Sequence, residues 1–192
     1  STYIMAPLMI GLAFTGDSVV GLILTDKWLP SVVFMRVFCI TFMFYPIHTA
    51  NLNAIKAVGR SDLFLKLEVY KKIVGIIALV STMFISVEAM AYSLLFTSII
   101  SQVINSWPNK KMLDYGYIEQ LKDILPELIL AVLMGIVIYP IQLLDLSYFM
   151  TLVIQIPVGI IIYIIGSIIL KIDSFQYLYG IFKSILFKKK KC

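Results

Sequence analysis

The stretch SYFMTLVIQIPVGIIIYIIGSIIL, Ser147 to Leu170, runs without one charged side chain. A bilayer's hydrocarbon core of about 30 Å needs roughly 20 apolar helical residues, so this stretch predicts a transmembrane helix. Pro157 and Gly159 inside it fit that reading, because neighbouring helices can satisfy the carbonyls a proline frees. The run lacks strict alternation and far exceeds the ten or so residues of a barrel strand. A helix is expected.

Five further runs of the same kind lie upstream. They are Tyr3–Leu24, interrupted by Asp17; Pro30–Ile55, carrying Arg36 and His48; Val69–Val87; Ala89–Trp107; and Ile124–Leu144, with Pro126 in its first turn. Read as one helix, Ile73 to Trp107 would be about 52 Å long, so two helices turning at Glu88 are expected there. The fold class is all-α: a polytopic membrane bundle of about six helices over residues 1–170, followed by a tail over 171–192.

Composition agrees. Of the 192 residues, 60% are apolar and 14% charged, against about 45–50% and about 25% in ordinary soluble domains. Mean hydropathy is +0.96. Too few polar groups remain to cover a soluble core of this size. Disorder, a collagen, a disulfide-rich scaffold and a soluble nucleic-acid binder are excluded, and no nucleic-acid partner is expected. Cys39 lies in an apolar run and Cys192 is the last residue; with the lone His48 they make no zinc site of ordinary spacing. The chain begins Ser1-Thr2-Tyr3 and enters a span at once, which reads as the C-terminal part of a longer protein.

Charge placement sets the orientation. Lys56, Arg60, Lys66, Lys71 and Lys72 follow the second run; Lys110, Lys111 and Lys122 follow the fourth; Lys171, Lys183 and Lys188 to Lys191 follow the sixth. The other three connections hold Lys27 beside Asp26, Glu88, and Asp145. Basic residues gather on the cytoplasmic side. The alternation therefore predicts an even number of crossings with both ends cytoplasmic. Met112 to Leu121 reads as a short helix on the membrane surface. In the tail, Phe175, Leu178, Tyr179, Phe182, Ile185 and Leu186 recur at helical spacing ahead of four lysines. That is an amphipathic, polybasic anchor drawn to anionic lipid.

Ionisable and polar groups at membrane depth are costly and are the functional candidates. Arg36 either snorkels to the outer interface or lines a cavity and meets an anionic ligand. At 100° per residue, Asn51 lies about 60° and His48 about 120° from Arg36 around the helix axis. Arg36, His48 and Asn51 form a loose polar face, explained by a wet cavity or by contact between helices; Asn53 points elsewhere and reads as hydrogen-bonding a neighbouring helix. Asp17 is either a carboxylate coupled to protons or cations, or it pairs with a lysine or a backbone break. Gln102, Asn105 and Gln155 read as packing residues, Trp28 and Trp107 as interfacial anchors. No phosphate loop, HExxH, GxSxG or paired carboxylates occur within one span. Neither an enzyme, a cofactor nor a metal is expected.

Three elements carry a resemblance: Pro7-Leu8-Met9-Ile10-Gly11-Leu12-Ala13; Leu24-Thr25-Asp26-Lys27-Trp28; and Asn51-Leu52-Asn53 through Gly59-Arg60-Ser61-Asp62 with Leu65-Lys66-Leu67-Glu68. Gln120-Leu121-Lys122-Asp123-Ile124-Leu125-Pro126 adds a fourth. Together they resemble the C-terminal half of the polysaccharide-biosynthesis flippases of the multidrug/oligosaccharidyl-lipid/polysaccharide exporter superfamily. The resemblance implies one lobe of a MATE-like two-lobed transporter in the bacterial inner membrane. Such a protein moves undecaprenyl-diphosphate-linked oligosaccharide, an O-antigen or exopolysaccharide unit, by alternating access. Its partners would be that lipid-linked oligosaccharide, membrane lipids and the N-terminal half of the same protein. Arg36 would meet the diphosphate. Two other readings stand beside it: a drug or cation antiporter coupled through Asp17, and a membrane scaffold subunit without transport.

Overall fold

In the computed structural model, which describes residues 1–144 and 146–188, nine α-helices follow one another and no strand occurs among the described residues. Asp145 and the lysines Lys189 to Lys191 lie outside the described residues. The helices are α1 (Thr2–Phe14), α2 (Gly16–Leu24), α3 (Val32–Met43), α4 (Tyr45–Ala57), α5 (Ser61–Met83), α6 (Val87–Leu113), α7 (Tyr117–Ile138), α8 (Tyr148–Ile169) and α9 (Asp173–Lys188). Short 3₁₀ segments, Asp26–Ser31 and Tyr139–Leu144, join α2 to α3 and extend α7.

Among the described residues, four helical stretches are long and apolar enough to cross a membrane: Asp26–Ala57, Val87–Leu113, Tyr117–Leu144 and Tyr148–Ile169. A fifth is the pair α1 and α2, if its two halves, bent by 67°, make one span. α5 does not join them, because Lys66, Glu68, Lys71 and Lys72 crowd its N-terminal half. Large apolar side chains such as Leu8, Ile76, Phe96, Ile136 and Ile160 cover the exterior, as a lipid-facing surface requires.

Two runs that look continuous in sequence are broken. The first turns between Phe14 and Gly16. The second restarts at Phe44, just before Pro46, which takes up one of the first two positions of α4; there its missing N–H leaves no gap. The hairpin expected at Glu88 turns earlier, after Met83. Ser86 caps α6 by accepting a hydrogen bond from the Ala89 amide at 3.0 Å, and Glu88 falls in the first turn, where a negative charge suits the helix dipole. The stretch Met112 to Leu121 is not a separate surface helix. It is the end of α6 and the start of α7, joined by Asp114 in the left-handed region at φ 52. With α7 starting at Tyr117, Pro126 lies inside the helix rather than in its first turn.

The core lies along α1 and α7. Tyr3, Ala6 and Ile10 pack against Leu128, Leu130, Ala131 and Met134, with Tyr163 of α8 and Ile172 closing the cluster. Tyr163 donates to the Tyr3 carbonyl at 2.9 Å, and the Tyr3 hydroxyl donates to Ser167 at 2.9 Å. α9 follows α8 directly and leans its Phe175 on Tyr3, ring centroids 6.3 Å apart.

Candidate functional site

Three polar places interrupt this apolar bundle. The first is the break between α1 and α2. A helix end leaves carbonyls without intrahelical partners. Arg36 of α3 donates from Nε to the Ala13 carbonyl at 3.1 Å and pairs through Nη2 with Asp17 Oδ2 at 2.5 Å. Gln142 of the 3₁₀ segment donates to the Phe14 carbonyl at 2.5 Å. Thr15 turns its own hydroxyl back onto Gly11 O at 2.9 Å. Asp17, for which the sequence offered a lysine or a backbone break, lies at such a break but pairs with Arg36, whose hydrogen bonds go to α1 and α2.

The second place is a carboxamide network joining α4, α6 and α7. Asn51 donates to Gln120 Oε1 at 2.7 Å and Ser106 Oγ at 3.1 Å. It accepts, through Oδ1, from Asn109 at 2.6 Å and Gln120 at 2.8 Å. All four residues are buried. Asn53 is exposed. Every polar atom of the Asn51 side chain is used, so this residue fastens three helices.

The third place is a cavity of about 310 Å³ between α3, α4, α5 and α6. Phe42 and Tyr45 give it aromatic walls; His48, Lys71, Ser98 and Gln102 give it polar ones. His48 stacks on Tyr45 with centroids 6.1 Å apart, and its Nδ1 lies 2.8 Å from Asn105 Nδ2. Lys71 is paired with Glu68, and its side chain is only 8% exposed. Gln102 is 2% exposed and its Oε1 has no hydrogen-bond partner. Neither does Asn105 Oδ1 on the same face of α6. A buried carbonyl oxygen without a donor is costly, and a ligand bearing hydroxyl groups would relieve that cost.

Of the residues singled out in the sequence, Arg36 and Asp17 are brought together at the break. His48 borders the cavity, and Asn51, one turn further along α4, belongs to the network. Ser98 and Gln142 escaped attention, and Lys71 stood in the sequence only as a basic residue of the connection after the second run. Ser98, Gln102, Asn105, Ser106 and Asn109 recur on α6 at intervals of three and four, the signature of one helix face; read together, they mark it. Gln142 offers no comparable signal.

Glu127, which the sequence reading left aside, is 5% exposed on α7 and accepts from Ser174 of α9 at 2.5 Å. It ties the last helix to the bundle. No protein-family model, curated protein or solved structure matches the chain.

Proposed function

We propose that the chain is one lobe of a transporter that flips undecaprenyl-diphosphate-linked oligosaccharide across the bacterial inner membrane. In this reading α5 is the remaining crossing. Its 23 residues extend about 35 Å, and Lys66, Lys71 and Lys72 lie toward a cytoplasmic end, as the basic connections require. The observation that carries the reading is the cavity beside His48. Aromatic faces suit the C–H faces of a sugar ring, and the Gln102 oxygen accepts from sugar hydroxyls. Lys71 supplies positive charge for a phosphate. Arg36, 40% exposed, reaches the diphosphate by exchanging the Asp17 carboxylate for a phosphate oxygen, which suits its fork of donors. Asn51 holds the helices that frame the site.

The test is complementation, in the full-length protein, of a strain lacking its own copy. Gln102→Leu and Lys71→Gln should leave the protein in the membrane and reduce surface polysaccharide at least tenfold. Normal polysaccharide with both variants removes the cavity from transport. Uptake of organic cations that falls with Asp17→Asn, while polysaccharide persists, establishes the antiporter instead. Insensitivity of both readouts leaves the scaffold.

A further inference from the structure

α2 is bounded at both ends by irregular backbone. At one end the chain turns by 67° beside Thr15. At the other, Thr25 has φ 77 and ψ 165, a region that glycine alone occupies readily and that is strained for a β-branched residue. Such strain persists only where surrounding contacts enforce it.

Specific contacts hold the two ends. Arg36 and Gln142 take the Ala13 and Phe14 carbonyls at the break. Next to Thr25, Asp26 accepts a hydrogen bond from the Tyr148 hydroxyl of α8 at 2.6 Å. Between them, Gly21 lies flat against the Tyr148 ring: a Cβ there would sit 2.6 Å from two ring carbons. One tyrosine therefore both packs on the middle of α2 and latches its far end.

We propose that α2 is a strained lever, pivoting at Thr15 and Thr25, that Tyr148 holds closed against α8. A rigid nine-residue helix between two pivots is the arrangement that hinge motion uses. Opening the latch releases the strain at Thr25, which offsets part of the lost contact. An apolar groove of about 740 Å³ between α1, α7 and α8 runs up to Thr15 and Val19. Swinging α2 widens it at that end. The inference concerns motion, and stands or falls separately from the identity of any cargo.

Amide hydrogen exchange of the full-length protein in lipid nanodiscs tests it. Tyr148→Phe keeps the ring and deletes the latch; Gly21→Ala drives a methyl into the ring edge that carries the hydroxyl and displaces ring and latch together. Each is expected to speed exchange over residues 16–31 about threefold or more, the scale of one exposed hydrogen bond, with residues 2–14 unchanged. If Tyr148→Phe does not assemble, Gly21→Ala carries the test alone. Wild-type exchange over residues 16–31, or a rise shared equally by α1, overturns the lever.

Discussion

Arg36 reaches across from α3 so that one guanidinium holds both sides of a broken helix: the Ala13 carbonyl before the break at 3.1 Å and the Asp17 carboxylate after it at 2.5 Å. The two contacts differ in kind. The carbonyl lacks an intrahelical partner, whereas the carboxylate is 42% exposed and its partner 40%, so solvent and salt screen that pair. Arg36→Ala is therefore expected to cost about 1–2 kcal/mol, and Asp17→Asn under about 1 kcal/mol. Thermal unfolding of the two variants and their double in detergent measures this. Equal losses for the single variants would show that the ion pair, and not the carbonyl, carries the clamp.

Asn51 invites a sharper loss. Its side chain donates twice and accepts twice inside the bundle. Asn51→Leu removes all four bonds and leaves Asn109 and Gln120 only longer ones, to the Asn51 carbonyl, the Tyr115 carbonyl and Ser106 at 3.3 Å, at a cost of about 1–3 kcal/mol in all. The expected result is a drop in yield of folded protein. Asn53→Leu, exposed on the same helix, is expected to be near neutral. Monodispersity after extraction compares the two directly.

The membrane class was plain in the sequence because apolar length and alternating basic connections are properties of single segments. The breaks were not. Pro46 stood in view as a reason for α4 to restart, but Gly16 and Asp17 interrupt their run no more visibly than other tolerated polar residues do. Arg36 and Asp17 each drew attention by charge alone. That they meet depends on α3 packing beside α1, a relation between segments 19 residues apart that no periodicity encodes. The cavity was half legible. His48 stood out as a lone ionisable group, while the polar face of α6 was read residue by residue and so taken for packing.

Glycines on two helices should respond in opposite ways to the same change. A Cβ at Gly135 would lie 2.6 Å from the Phe14 ring, at the seam of α1 and α7. Gly75, in the middle of α5, has nothing within 4 Å. Gly135→Ala is expected to destabilise by about 1–3 kcal/mol through overpacking. Gly75→Ala should stabilise by up to about 1 kcal/mol, because alanine loses less backbone freedom in a helix. Unfolding midpoints of opposite sign confirm the packing of both seams; a loss at Gly75→Ala would place a neighbour against α5.

Tyr115, in the turn between α6 and α7, donates a hydrogen bond to Asp123. Partial burial, then that hydrogen bond and the nearby Asp123 and Glu119 charges, push its phenol up to about 12, against an ordinary value of about 10. The sign follows from which form the fold prefers. A raised value means the folded state favours the protonated phenol, so its contribution is complete below about pH 10 and is lost as pH climbs toward about 12. Above that range a phenolate would face the two carboxylates. Tyr115→Phe has no proton to lose there. The wild-type unfolding midpoint should consequently fall more steeply than the variant's between about pH 10 and about pH 12, while the wild type remains the more stable of the two near neutrality. Parallel curves for the two proteins across that range would mean that the Tyr115–Asp123 bond does not hold the turn.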